Sequence, residues 1–216
     1  MSATVFKISR PRIALSLRRV ALVVSLWLGL QSAGVAGTTF NDEPETAPIV
    51  ERQIEVSDFT LKTTDGPSFN LREYALDKRL MIVAYVAGWC PNSNRNGHVL
   101  KRLYDKYHNR GLGVVVVMEY SDRNETTIHI NRIGIDYPVV VETTRLGQRK
   151  DSQHYKYRRK ADDKRKWGTP FYLLIDARDI KAAAAGQPLA RHVWTVSGEM
   201  VESEAEAFIE NHLAAK

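Results

Sequence analysis

Residues 80–93 read LMIVAYVAGWCPNS, and this stretch is the strongest indication of the fold in the sequence. Its first part, Leu80–Val86, is a continuous apolar run of strand length, which is typical of a strand buried on both faces. After three more residues comes Cys90, the only cysteine of the 216-residue chain. Over residues 93–108 apolar side chains recur at a spacing of four, which indicates a helix. Cys90 is therefore predicted to lie at a strand-to-helix corner.

The rest of the chain supplies further elements on both sides of this corner. Residues 59–71 alternate apolar and polar side chains around a turn, which predicts a hairpin. Strand–helix–strand units with apolar central strands predict an α/β fold, with a central mixed β-sheet flanked by helices. The other predicted strands are 114–118, 139–141, 171–175 and 191–196, and the other predicted helices are 124–133 and 199–214.

Composition limits the classes of protein and of site. Hydrophobic residues make up 44% of the chain and charged residues 26%, which is typical of one globular domain and excludes wholesale disorder. A single cysteine excludes an intrachain disulfide and a zinc or iron–sulfur centre built from cysteines of one chain. No metal and no other cofactor is expected.

The first 37 residues have the composition of a secretory signal. Five basic residues and no acid precede residue 20, an apolar run follows at 20–30, and small or polar residues dominate 31–37. An uncleaved membrane anchor is the alternative, and either form predicts export to the periplasm or beyond. Residues 38–54 are predicted to be an acidic linker and 55–216 the folded domain. Because 1–37 carry most of the net charge of +6, no nucleic-acid partner is expected.

The predicted setting of Cys90 favours a reactive thiol. Unpaired N–H groups and the positive end of the helix dipole stabilise a thiolate at a helix N-terminus. Pro91 suits the first helical turn, where its missing N–H costs nothing. In an oxidising compartment an unpaired thiol either links two molecules or is kept for chemistry. A buried, inert cysteine remains the alternative.

The corner Trp89-Cys90-Pro91-Asn92-Ser93 resembles the Trp-Cys-x-x-Cys corner of the thioredoxin superfamily. Together with residues 168–170, Gly-Thr-Pro before the strand FYLLI, it is similar to the exported TlpA-like and redoxin branch over roughly residues 55–215. The resemblance implies a thioredoxin-like fold. It also implies an active-site corner of Trp89, Cys90, Pro91 and Ser93. Thr169 and Pro170 would form a cis-proline loop that faces the cysteine and docks an extended partner.

Ser93 departs from the family pattern, because the second cysteine of the corner would stand at this position. A hydroxyl cannot attack a mixed disulfide as a second thiol does. Turnover through Cys90 would therefore need an outside thiol, either glutathione or the cysteine of a partner protein. Ser93 itself is expected to donate a hydrogen bond to the Cys90 thiolate or to cap the helix. The alternative function is a non-catalytic binding module that docks partners through the same loop and the basic run at residues 149–166.

Two other activities fit the residues less well. A peroxiredoxin would carry a proline where Val83 stands and a threonine or serine where Ala87 stands. Related copper-delivery proteins use two cysteines with a distant histidine, and this chain has one cysteine.

The basic run at 149–166 has nine cations and three acids, interleaved with aromatic residues. It is interpreted as a solvated insertion, as a surface that could bind nucleic acid or an anionic membrane, or as a flank of Cys90 that attracts anionic partners.

Overall fold

The computed structural model describes residues 43–214. The predicted signal peptide or anchor at residues 1–37 and the beginning of the predicted linker lie outside this range. Within it, no helix combines the length and the apolar character needed to cross a bilayer.

A six-stranded mixed sheet forms the centre of the domain. Its strands, numbered along the chain and given in spatial order, are β2 (Val50–Val56), β9 (Ala190–Val196), β8 (Phe171–Asp176), β5 (Leu80–Val86), β6 (Leu112–Met118) and β7 (Val139–Val141). The last three run parallel to one another, whereas β8 is antiparallel to both β5 and β9. Two small sheets flank this one. They pair β1 (Thr46–Ala47) with β10 (Glu199–Met200) and β3 (Thr60–Lys62) with β4 (Ser68–Asn70).

Helices cover both faces of the sheet. They are α1 (Leu71–Tyr74), α2 (Pro91–Tyr107), α3 (Arg123–Ile133), α4 (Gln153–Lys160), α5 (Ala177–Ala182) and α6 (Glu202–Ala214). Alternate side chains of β5 enter two separate apolar layers: Leu80 and Ile82 pack with α2 and α6, while Met81 and Val83 pack with α1, α4 and α5. The expected thioredoxin-like α/β fold, a mixed sheet between layers of helices, is confirmed.

Helix α2 begins two residues earlier than its apolar spacing predicted. Pro91 is its first residue, where a fixed φ and a missing N–H favour helix initiation, and Cys90 occupies the extended N-cap position. Only residues 87–90 therefore separate the end of β5 from the start of α2. The left-handed Gly111 (φ 106°) ends the 3₁₀ turn His108–Arg110 that follows α2.

The predicted acidic linker is wrong in its C-terminal part. Residues 46–47 form β1, and β2 starts at residue 50, so the domain begins before residue 55. Strand β2 lies at the edge of the sheet, and its acidic residues, Glu51 and Glu55, are exposed and alternate with half-buried or buried residues. The final helix also begins at 202 rather than 199, because Glu199 and Met200 pair with β1.

Asn96 joins α2 to the central sheet and to β10, and its removal should destabilise the fold. Its side chain accepts hydrogen bonds from Tyr172 Oη (2.6 Å) and Met200 N (2.9 Å), all in the interior. Asn96→Ala leaves both donors buried without a partner, so we expect the free energy of unfolding to fall by about 2–4 kcal/mol in urea denaturation. Asn124→Ala, at an exposed site on α3, is the control. A loss below about 1 kcal/mol for Asn96→Ala would contradict this assignment.

Candidate functional site

Cys90 and the loop at 168–170 meet in the structure. Cys90 is the N-cap of α2, its side chain is 7% exposed, and its Sγ–H donates to the carbonyl oxygen of Thr169 at 3.4 Å. The peptide bond between Thr169 and Pro170 is cis. The thiol therefore lies at the positive end of the 17-residue helix and directly against the loop.

The backbone of the corner is held by neighbouring side chains. Ser121 Oγ accepts from the N–H of Gly88 at 2.8 Å, and Asn94 Nδ2 donates to the carbonyl groups of Gly88 (2.8 Å) and Cys90 (3.1 Å). Gly88 packs so closely on α3 that a Cβ atom there would lie 2.5 Å from the carbonyl oxygen of Glu125. Sequence analysis did not identify these supports. Ser121 is 33 residues from Gly88, so only the tertiary fold brings it to the corner.

Ser93 does not take either of the roles expected of it in this structure. Its side chain is fully buried, and its hydroxyl accepts a hydrogen bond from the N–H of Ala87 at 3.3 Å. The helix N-cap is Cys90, so the expectation that Ser93 caps α2 is wrong. In the part of the chain that the structure describes, no hydrogen bond joins Ser93 to Cys90. Ser93 instead links the end of the β5 segment to the first turn of α2.

Two tryptophans connect the corner to the loop. Trp89, beside Cys90, packs edge-to-face on Trp167, with ring centroids 5.9 Å apart, and its Nε1 donates to the carbonyl oxygen of Tyr120 at 3.1 Å. The guanidinium of Arg149 lies 5.3 Å from the Trp167 ring centroid, and the ammonium of Lys166 lies 5.1 Å from it. Two cations of the basic run therefore lie on the ring that contacts Trp89, the neighbour of Cys90 in sequence.

Side chains bind every carbonyl group of the loop from residue 165 to residue 170. Arg158, which is buried, donates to two of them, and the remaining four have one donor each. The acceptors and their donors are Arg165 O and Trp167 O with Arg158, Lys166 O with Arg149, Gly168 O with His154, Thr169 O with Cys90, and Pro170 O with Arg165. The basic run is therefore not simply a solvated insertion: several of its cations hold the loop.

His154 is a buried support of the loop that sequence analysis missed. Its Nε2–H donates to Gly168 O at 3.1 Å, its Nδ1 accepts from the hydroxyl of Tyr120 at 3.0 Å, and its ring stacks on Tyr85. Burial, together with the positive charge of Arg158, lowers the pKa of His154 to about 3. Because Gly168 O can only accept, the proton of the neutral imidazole lies on Nε2. The spacing of His154, Tyr157 and Arg158 along α4 was the available signal, since these residues share one buried helix face.

A buried acid, Glu119, also lies close to this site. Glu119 directly follows β6, and its Oε2 accepts from Thr143 Oγ1 at 2.5 Å. Burial, with the carboxyl of Glu142 nearby, raises the pKa of Glu119 well above its usual range. Among the described residues, no three histidine, cysteine or acidic side chains are grouped as metal ligands would be.

A cysteine at a strand-to-helix corner, facing a cis-proline loop on a mixed sheet, defines a thioredoxin-like fold. The sequence of residues 52–186 matches the redoxin family, and the chain belongs to this family.

Solved structures and a curated relative show similar proteins. A thiol:disulfide interchange protein of the thioredoxin family from Chlorobium tepidum TLS is 18% identical with a TM-score of 0.53, covering 75% of this chain and 97% of that one. A thiol-disulfide oxidoreductase from Bacteroides fragilis is 17% identical with a TM-score of 0.51, covering 73% and 98%. A probable phospholipid hydroperoxide glutathione peroxidase from Citrus sinensis is 35% identical over 65 residues, which span 30% of this chain and 38% of that protein. At identities this low, the similarity to the two solved structures shows a shared fold and no more.

His154 should make stability depend on pH in one direction. The unfolded chain protonates its imidazole near pH 6.5, whereas the folded protein resists protonation until about pH 3. Relative to His154→Gln, the wild type should therefore lose about 2–3 kcal/mol of unfolding free energy between pH 7 and about pH 4.5. Urea denaturation at both pH values measures this difference. His98→Gln, at an exposed position of α2, should show no such change. A pH-independent difference for His154→Gln would contradict the buried neutral imidazole.

Proposed function

We propose that this protein is an exported thiol–disulfide exchange protein that reacts through Cys90 alone. The observation that carries the proposal is the position of Cys90 Sγ, at the N-terminus of α2 and 3.4 Å from the Thr169 carbonyl of the cis-proline loop. Export rests on the composition of residues 1–37, which has the three parts of a secretory signal. The same residues carry the alternative of a membrane anchor.

The reaction consists of two exchanges. The Cys90 thiolate attacks one sulfur of a partner disulfide, so that a mixed disulfide forms while the partner's S–S bond breaks and its other sulfur leaves as a thiolate, which takes up a proton. An outside thiolate then attacks the partner's sulfur in the mixed disulfide, so that a new disulfide forms between the outside thiol and the partner while the bond to Cys90 breaks and Cys90 leaves as a thiolate. Since Ser93 occupies the place of a second thiol, this second step needs glutathione or a cysteine of a partner protein.

The loop would dock the partner beside the reacting sulfur. In the reduced protein, Cys90 Sγ–H occupies the carbonyl of Thr169. Once Sγ is in a mixed disulfide it has no proton to donate, so this carbonyl becomes free to accept an N–H of an extended partner segment. Backbone pairing of this kind is a common way to bind an extended peptide, and here it would take place at a residue, Thr169, that is only 4% exposed before a partner binds. Trp89 and Pro91 would border the same surface, since they flank Cys90 in sequence.

A non-catalytic binding module remains the second candidate, and the presence of Ser93 at the position of the second thiol favours it. In that case the loop and the basic run would bind partners without a change of oxidation state. The two functions differ in whether Cys90 forms and releases adducts.

Cys90 should form a mixed disulfide that an outside thiol can resolve. The reduced chain treated with hydroxyethyl disulfide should gain one adduct in intact-mass spectrometry, and Cys90→Ser should gain none. With glutathione and glutathione reductase present, the wild type should turn over the disulfide, followed as NADPH consumption above the uncatalysed rate. The binding module is favoured instead if the adduct does not form, or if it forms and glutathione does not release it.

Ser93→Cys should convert the monothiol protein into a dithiol one. Positions 90 and 93 are neighbours on the first turn of α2, so the two thiols should form an intramolecular disulfide under mild oxidation. The variant should also reduce insulin with dithiothreitol, faster than the wild type by at least about tenfold. Ser203→Cys, which adds a thiol at an exposed site on α6, should gain neither property. Exclusively intermolecular dimers of Ser93→Cys would contradict the facing geometry.

A further inference from the structure

A cationic aromatic face borders Cys90. We define it by Trp89, Trp167, Tyr155, Arg149 and Lys166. The Arg149 guanidinium lies between two rings, 5.3 Å from the centroid of Trp167 and 5.9 Å from that of Tyr155. All three aromatic side chains are partly exposed. The face is therefore a fixed arrangement of two cations on aromatic rings.

The two cations of this face have no carboxylate partner among the residues that the structure describes. Two of the three acids of the basic run are paired within it: Asp162 with Lys164 at 3.6 Å, and Asp163 with Arg165 at 2.8 Å. Glu45, the nearby acid from outside the run, also binds Arg165. Across residues 43–214, neither Arg149 nor Lys166 takes part in an ion pair. An anionic group placed on this face would meet two cations that lack carboxylate partners.

The face is joined to the reacting sulfur on both sides. Trp89 is covalently next to Cys90, and Trp167 is two residues before Thr169, whose carbonyl contacts Sγ. The rings of Trp89 and Trp167 pack edge-to-face, so the residue before Cys90 contacts the loop that carries Thr169. Groups that flank the disulfide of a docked partner would therefore lie over the two cations.

We propose that the cationic aromatic face selects partners whose reacting cysteine lies in an acidic polypeptide segment. The inference rests on the proposed function and names its substrate class. Arg149 can bind a carboxylate through two parallel N–H groups, while Lys166 adds a second positive charge. The indole rings keep both cations in place and offer apolar contact to the partner backbone.

Small disulfides of different charge test the inference. The second-order rate of Cys90 thiolation is measured with oxidised glutathione (anionic), hydroxyethyl disulfide (neutral) and cystamine (cationic), each corrected for its rate with free cysteine. The corrected rates should decrease in that order at low ionic strength. At about 0.5 M salt the differences between the three rates should become small, because salt then limits the interaction between exposed charges to a few ångströms.

Paired variants locate the effect. Arg149→Gln combined with Lys166→Gln should lower the ratio of the anionic to the neutral rate by about tenfold, as expected for two exposed charge interactions. The single variant Arg149→Lys, in which Lys166 is unchanged, should keep most of this ratio. The control, Lys156→Gln combined with Lys160→Gln, removes the same charge from exposed positions of α4 and should change the ratio less than twofold.

The outcomes separate this inference from the proposed function. If Cys90 fails to react with the neutral disulfide, the proposed function is wrong. If it reacts with all three disulfides at equal corrected rates, or if the control variant lowers the ratio as much as the test variant, the inference is wrong while the proposed function stands.

Discussion

The antiparallel pairing of β5 with β8 is the constraint on which the site depends. Tyr85, near the end of β5, lies opposite Phe171, the first residue of β8. Because the two strands are antiparallel, the C-terminal end of β5, which leads to Cys90, lies beside the N-terminal end of β8, which follows Pro170. Residues about eighty positions apart in sequence are brought together by six ladder pairs, and the contact of Cys90 with Thr169 follows from that register.

The position of the site in the sheet explains its combination of rigidity and access. The corner follows a fully buried strand, and Gly88 is fixed against α3, so the backbone before Cys90 has little freedom. Pro91, directly after it, is exposed. A thiol that is itself nearly buried is therefore presented next to a surface that a partner can reach. This arrangement suits a reaction that requires close approach in one defined direction.

Much of the central sheet could be predicted from sequence, because strands buried on both faces read as apolar runs. Leu80–Val86 is such a strand, and its predicted bounds agree with the structure. Strand β2 could not be recognised in this way. It is an edge strand with one exposed face, so it carries charged as well as apolar residues, and a solvated linker can have the same composition. The cysteine corner and the Gly-Thr-Pro loop were identifiable as motifs. For His154, the spacing along α4 could indicate only a buried helix face; its partners, Tyr120 and Gly168, are 34 and 14 residues away, and only the tertiary fold joins them.

The six bound carbonyl groups of residues 165–170 have a consequence for the entropy of recognition. A free loop loses conformational entropy when a partner orders it, and this loss weakens binding. Here the donors from Arg149, Arg158 and His154 have already removed that freedom during folding. Encounter with a partner therefore requires little further ordering of the protein, and more of the contact energy remains available to hold the partner's sulfur in line with Cys90.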